Sequence, residues 1–100
     1  MKRTAWILNT SRGPVIREED LIKSLDESLI AGAALDVLTK EPPDKNHPLI
    51  NRENVILTPH MASWTWDSRN DLQTKSAEEV VRVLKGERPK NLVNPDVLSK

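Results

Sequence analysis

Ala31-Gly32-Ala33-Ala34-Leu35-Asp36-Val37 is a run of small and branched apolar residues interrupted near its end by one carboxylate. It reads as a buried strand whose small side chains let a helix pack close. The same signature recurs on both sides. Ala5 to Leu8 is a short apolar run, followed by the breaker cluster Thr10-Ser11-Arg12-Gly13-Pro14. Val55-Ile56-Leu57-Thr58 is a third run, stopped by Pro59. Between the first two, Glu18, Glu19 and Asp20 open a helix with negative charge at its positive end, and Leu21, Ile22, Leu25 and Leu29 keep its period. Residues 38 to 53 hold Pro42, Pro43 and Pro48 and show no periodicity, so they form a long loop. Thr65 caps a long helix that runs to Lys85 and stops at Gly86. Its apolar stripe is Ala77, Val80, Val81 and Leu84, and Glu78 can pair with Arg82. Asn91 to Pro95 reads as extended.

Strand, helix, strand, long loop, strand, helix is an α/β pattern with a parallel sheet. Trp6 reads as strand core. The strands are almost continuously apolar, so both sheet faces should be covered. Two amphipathic helices are too few for that. Either a partner supplies the missing cover, or the chain is a piece of a larger fold.

Composition narrows the function. The 100 residues carry fifteen basic and fifteen acidic side chains, a formal net charge of zero. That balance argues against a nucleic-acid or anionic-membrane partner, which would leave a basic excess. No apolar run approaches the roughly 18 residues of a membrane span. The first residues lack the apolar core of a signal peptide, so the expected location is the cytoplasm. Cysteine is absent, which excludes thiolate chemistry and disulfides. His47 and His60 are too few and too scattered for a metal site, and His47 reads as surface or loop packing.

In open parallel sheets, ligands bind beyond the carboxyl ends of the strands. That rule selects Arg12 after the first strand, Asp36 at the end of the second, Glu41 in the loop after it, and His60 after the third. Singly, each has an ordinary reading as a solvated charge, a cap or a loop residue. Together they bring a cation, two carboxylates and an imidazole to one edge. Ser11 with His60 suggests a hydrolase only weakly, because no Gly-x-Ser-x-Gly elbow surrounds Ser11. The only glycines are Gly13, Gly32 and Gly86, so no Gly-x-Gly-x-x-Gly loop is present.

Four blocks resemble the D-isomer-specific 2-hydroxyacid dehydrogenases. They are Met1 to Gly13, Gly32-Ala33-Ala34-Leu35-Asp36-Val37, Glu41-Pro42-Pro43, and Asn54-Val55-Ile56-Leu57-Thr58-Pro59-His60-Met61-Ala62-Ser63. They occur in the family's order over nearly the whole chain. Within the family the likeness is to phosphoglycerate dehydrogenases and glyoxylate or hydroxypyruvate reductases. The resemblance implies the second half of a Rossmann-like doubly wound sheet, incomplete at about three strands and two main helices. Residues 1–88 would be the carboxy-terminal part of the NAD-binding domain, and 89–100 an extended tail returning to a substrate domain. It implies hydride transfer between NAD (or NADP) and a small D-2-hydroxy or 2-oxo acid. Arg12, Glu41 and His60 would be catalytic. Thr10, Ser11, Arg12, Asp36, His60, Met61, Ala62 and Ser63 would line the cofactor. The full-length parent would be a homodimer, and the isolated chain would have little or no turnover. The alternative is a non-catalytic module that binds a full-length relative. Three positions depart from the family pattern: Arg17 where an acid is common, Ser28 where glycine often ends the helix, and Leu38 in place of a frequent aromatic.

Overall fold

A computed structural model describes residues 1–99. Its order is strand β1 (Trp6–Asn9), a 3-10 turn (Gly13–Val15), helix α1 (Glu18–Asp26), strands β2 (Gly32–Leu35) and β3 (Val55–Leu57), and helix α2 (Trp66–Leu84). A second 3-10 turn follows at Pro95–Ser99. It lies within the expected tail 89–100, of which Lys100 is outside the described residues. The three strands form one parallel sheet in the order β1-β2-β3. This is the α/β architecture read from the sequence. The backbone divides into two compact units, Met1–Ala62 and Ser63–Lys100. No helix among the described residues is long and apolar enough to cross a membrane.

The first unit owes its core to strand alternation. Register places Ile7, Ala33 and Val55 in one row and Asn9, Leu35 and Leu57 in the next. Leu21 and Leu25 of α1, with Ile30 and Leu49, join Ala33 and Leu35 in one buried cluster on that face. Leu49 comes from the long loop, which does the covering that a second helix would do. Leu29, expected in the helical stripe, is 41% exposed. The helix ends at Asp26, the chain turns through Ser28 at φ 52°, and Ile30 is buried instead.

The opposite face corrects two expectations. Leu8, Ala34 and Ile56 share a row there, and Leu8 and Ile56 are 68% and 56% exposed. Among the described residues of the first unit, the buried cluster covers one sheet face and not this one. Trp6 is not core: it is 44% exposed and lies over Gly32, where an added Cβ would come 2.7 Å from the indole.

The second unit is built on α2. Thr65 caps it as expected, its hydroxyl accepting from the Ser68 amide at 3.1 Å. Gly86 stops it with φ 75°. None of its residues is buried. Arg82 does not pair with Glu78; its Nη1 donates to Glu87 beyond the helix at 3.1 Å. Arg69 lies 5.2 Å from the centre of the Trp64 ring, a cation–π contact.

Candidate active site

Asp36 sits one residue beyond β2 and is buried. Its backbone amide donates to the Asn9 carbonyl at 2.9 Å, which joins the ends of β1 and β2. Its carboxylate gathers the segment after β3. Oδ1 accepts from the Thr58 hydroxyl and the Met61 amide (2.8 Å), and Oδ2 accepts from the Ala62 amide (2.9 Å). The Asp36 carbonyl accepts from the His60 amide at 2.9 Å. These bonds hold His60 in the left-handed region at φ 53°, a conformation that costs a non-glycine residue about 1–2 kcal/mol. The Thr58 hydroxyl, then the two amides, keep the Asp36 carboxyl below its ordinary value against the opposing effect of burial.

Glu41 meets His60 from the other side. Its Oε2 lies 2.8 Å from His60 Nδ1, and its Oε1 accepts from the Leu38 amide at 2.9 Å. The imidazole and then the amide hold the Glu41 carboxyl below its ordinary value, so it is ionised at neutral pH. An ionised carboxylate can only accept, so Nδ1 carries the proton in this contact. The Nε2 atom then remains for proton exchange. Asp36, Glu41 and His60 line a cavity of ≈ 400 Å³ whose other walls include Leu38, Pro43, Ile50 and Leu57. The Glu41–Pro42 peptide bond is cis.

The third predicted catalytic residue stands apart. Arg12 is exposed, and its Nη1 donates to the Ser11 carbonyl at 2.7 Å. Among the described residues no hydrogen bond or ion pair joins Arg12 to Glu41 or His60. Thr10 and Ser11 are exposed beside it. Met61 and Ala62 meet Asp36 through their amides, while Ser63 opens the second unit.

Sequence reading missed the residue that shapes this loop. Asn9 is buried; its Nδ2 donates to the Arg12 carbonyl (2.9 Å) and its Oδ1 accepts from the Ser11 amide (3.0 Å). The available signal was a single amide closing an apolar strand. Thr58 was likewise read only as strand, though its hydroxyl holds Asp36.

The family model for the D-isomer specific 2-hydroxyacid dehydrogenase NAD-binding domain matches residues 1–62. The chain belongs to this dehydrogenase family. A glyoxylate reductase of Thermofilum pendens is 51% identical over 98 residues, which span 98% of this chain and 29% of that protein. D-3-phosphoglycerate dehydrogenase 2, chloroplastic, of Arabidopsis thaliana is 41% identical over 99% of this chain and 17% of that one. A D-isomer-specific 2-hydroxyacid dehydrogenase from Xanthobacter autotrophicus Py2, solved with NADPH and MES, superposes with a TM-score of 0.81 at 36% identity. That match covers 96% of this chain and 39% of the other. The chain thus spans less than a third of the curated relatives named here.

The Asp36 carboxylate fits the kind of N–H donor that the carboxamide of a nicotinamide supplies. An ionised carboxylate offers about four acceptor positions, and three on Asp36 are filled from within. The fourth suits a carboxamide N–H. With glycine only at positions 13, 32 and 86, the 100 residues hold no glycine-rich pyrophosphate loop.

Proposed function

We propose that this chain is the catalytic-residue-bearing part of an NAD(P)-dependent dehydrogenase that interconverts small D-2-hydroxy and 2-oxo acids. The observation that carries the reading is the 2.8 Å contact between Glu41 Oε2 and His60 Nδ1 beside the Asp36 turn. In the direction of oxidation, His60 Nε2 takes the hydroxyl proton of the substrate; in reduction it returns that proton to the forming alkoxide. Glu41 fixes the ring's tautomer and offsets the imidazolium charge. The Arg12 guanidinium, with one N–H on the Ser11 carbonyl, keeps further donors in a fork that suits the substrate carboxylate. Asp36 would hold the nicotinamide amide, and Thr10, Ser11 and Arg12 would line the nicotinamide side of the cofactor, as would His60, Met61 and Ala62. When bound, the nicotinamide exchanges the hydride. Glyoxylate and hydroxypyruvate are the first substrates to try, given the glyoxylate reductases among the relatives.

The test is oxidation of reduced nicotinamide with these acids, by the product of the complete reading frame that holds these residues and by the 100-residue chain alone. Turnover by the complete product should fall about 10²–10⁴-fold in His60→Gln. An undiminished rate in that variant removes His60 from the chemistry. The chain alone should show no turnover, because its 100 residues hold no glycine-rich loop for a pyrophosphate; measurable turnover would overturn that part.

A second reading is a non-catalytic interaction module. The open sheet face with Trp6, Leu8 and Ile56 favours it. A discrete hetero-complex with a full-length relative in size-exclusion chromatography would support this reading; aggregation alone would count against it.

A further inference from the structure

Glu41 reaches His60 only if the loop that carries it is held in place, and that loop has no secondary structure of its own. Its anchor is outside the pair. Glu18 opens α1, and its side chain is 17% exposed. Oε1 accepts from the Thr39 amide, and Oε2 lies 3.1 Å from His47 Nε2. The His47 ring is 16% exposed, and its Nδ1 faces the Leu49 amide at 3.3 Å. An amide can only donate, so Nδ1 accepts and Nε2 carries the proton toward Glu18. The ring satisfies both neighbours without carrying a charge. Leu49 is the most deeply buried large side chain of the core. One carboxylate therefore pins the loop at Thr39 and at His47, and His47 passes the restraint to Leu49.

The first of these points lies next to the site. Thr39 follows Leu38, whose amide holds Glu41 Oε1. The approach is possible because Gly13 has no side chain: a Cβ there would stand 2.2 Å from the Leu38 carbonyl. We propose that Glu18, acting through Thr39 and His47, is a positioning residue that sets Glu41 against His60. This rests on the reading of Glu41 and His60 as the proton-handling pair, but its test requires no turnover.

In Glu18→Gln the volume is kept, and one acceptor oxygen becomes an NH₂ that faces a donor. The measurement is the carboxyl ¹³C titration of Glu41 in the 100-residue chain, with hydrogen exchange at the Thr39 amide. In the unaltered chain Glu41 titrates below its ordinary value of 4.5. In Glu18→Gln its midpoint should rise toward that value, and Thr39 should exchange at least about 10-fold faster. His47→Gln, which keeps a donor for Glu18, should leave Glu41 as it is, whereas His47→Leu should raise it. A Glu41 curve that does not move in Glu18→Gln, with Thr39 exchange accelerated, makes Glu18 a structural residue only and overturns the proposal. If Glu18→Gln fails to fold, His47→Leu removes one arm of the clamp and is read in the same two ways. If His60→Gln keeps full turnover while Glu18→Gln still shifts Glu41, the positioning stands and the catalytic reading falls.

Discussion

Helices α1 and α2 both carry apolar residues at helical spacing on a polar background, yet they end in opposite environments. Leu21 and Leu25 of α1 are 5% and 4% exposed; Val80, Val81 and Leu84 of α2 are 59%, 47% and 81% exposed. Length does not explain the difference, since α1 has 9 residues and α2 has 19. What α1 has is a sheet within its own unit and a loop that brings Leu49 beside it. An amphipathic stripe states that a helix needs a partner; only the other elements decide whether the partner is there. Among the described residues the first unit meets that need for α1, while no residue of α2 is buried.

The strongest test of this contrast is a pair of truncations. Leu49→Ala should cost about 2–5 kcal/mol in urea unfolding, because it opens a cavity in the only buried cluster described. Leu84→Ala, at an exposed position, should stay within about 0.5 kcal/mol. Equal costs would mean that the α2 stripe is covered in solution, and the comparison would break.

The two units also differ in the pH limb on which they weaken. Asp36 and Glu41 have folded values below their ordinary 3.8 and 4.5. As pH falls, the unfolded chain takes up these protons first. The stability they confer is complete above the ordinary values and is lost as pH drops through the folded ones. In the second unit Lys75 is raised above 10.5, first by its hydrogen bond from Nζ to Asp71. Its contribution is complete below 10.5 and is lost as pH rises through the folded value. Residue-resolved amide exchange should therefore show acid sensitivity at Met61 and Ala62, whose amides Asp36 holds. Asp36→Asn should flatten that acid limb. An unchanged limb in Asp36→Asn would assign it to other carboxylates. The Lys75 effect should be smaller, because the pair is exposed on both sides.

The parts of the fold that were legible in the sequence are those governed by local patterning. Each strand appears within about two residues of where the apolar runs put it, because a short apolar run between breakers has few other uses. The strand-end rule picked out Asp36, Glu41 and His60, and these three share one cavity. The anchors were not legible. Asn9 and Glu18 act through hydrogen bonds to backbone groups that are folded back in a turn or distant in sequence, and Thr58 through one to the Asp36 carboxylate 22 positions away; no periodicity marks such partners. Glu18 was read only as charge on a helix end. His47 was read as surface or loop packing, and its link to Glu18 spans 29 positions. Trp6 was misread because aromatic content favours a strand without saying which face the ring takes.

The finest comparison lies at the two helix ends. Both close with the same motif. At the end of α1, the Leu29 amide reaches back to the Ser24 carbonyl and the Ser28 amide to Leu25. At the end of α2, the Glu87 amide reaches Arg82 and the Gly86 amide reaches Val83. The residue at the turn is left-handed in both, Ser28 at φ 52° and Gly86 at φ 75°. Glycine takes that conformation without a Cβ penalty, whereas serine does not. Ser28→Gly should therefore raise the stability measured by urea unfolding, by up to about 1 kcal/mol after the extra freedom glycine gives the unfolded chain is deducted. Gly86→Ser should lower stability by about the same amount, and by no more, because nothing lies within 4 Å of a Cβ placed there. Opposite signs of similar size would show that the two ends differ only in backbone strain. A loss in Ser28→Gly would mean that the serine side chain holds the first unit's turn in a way its exposed position does not reveal.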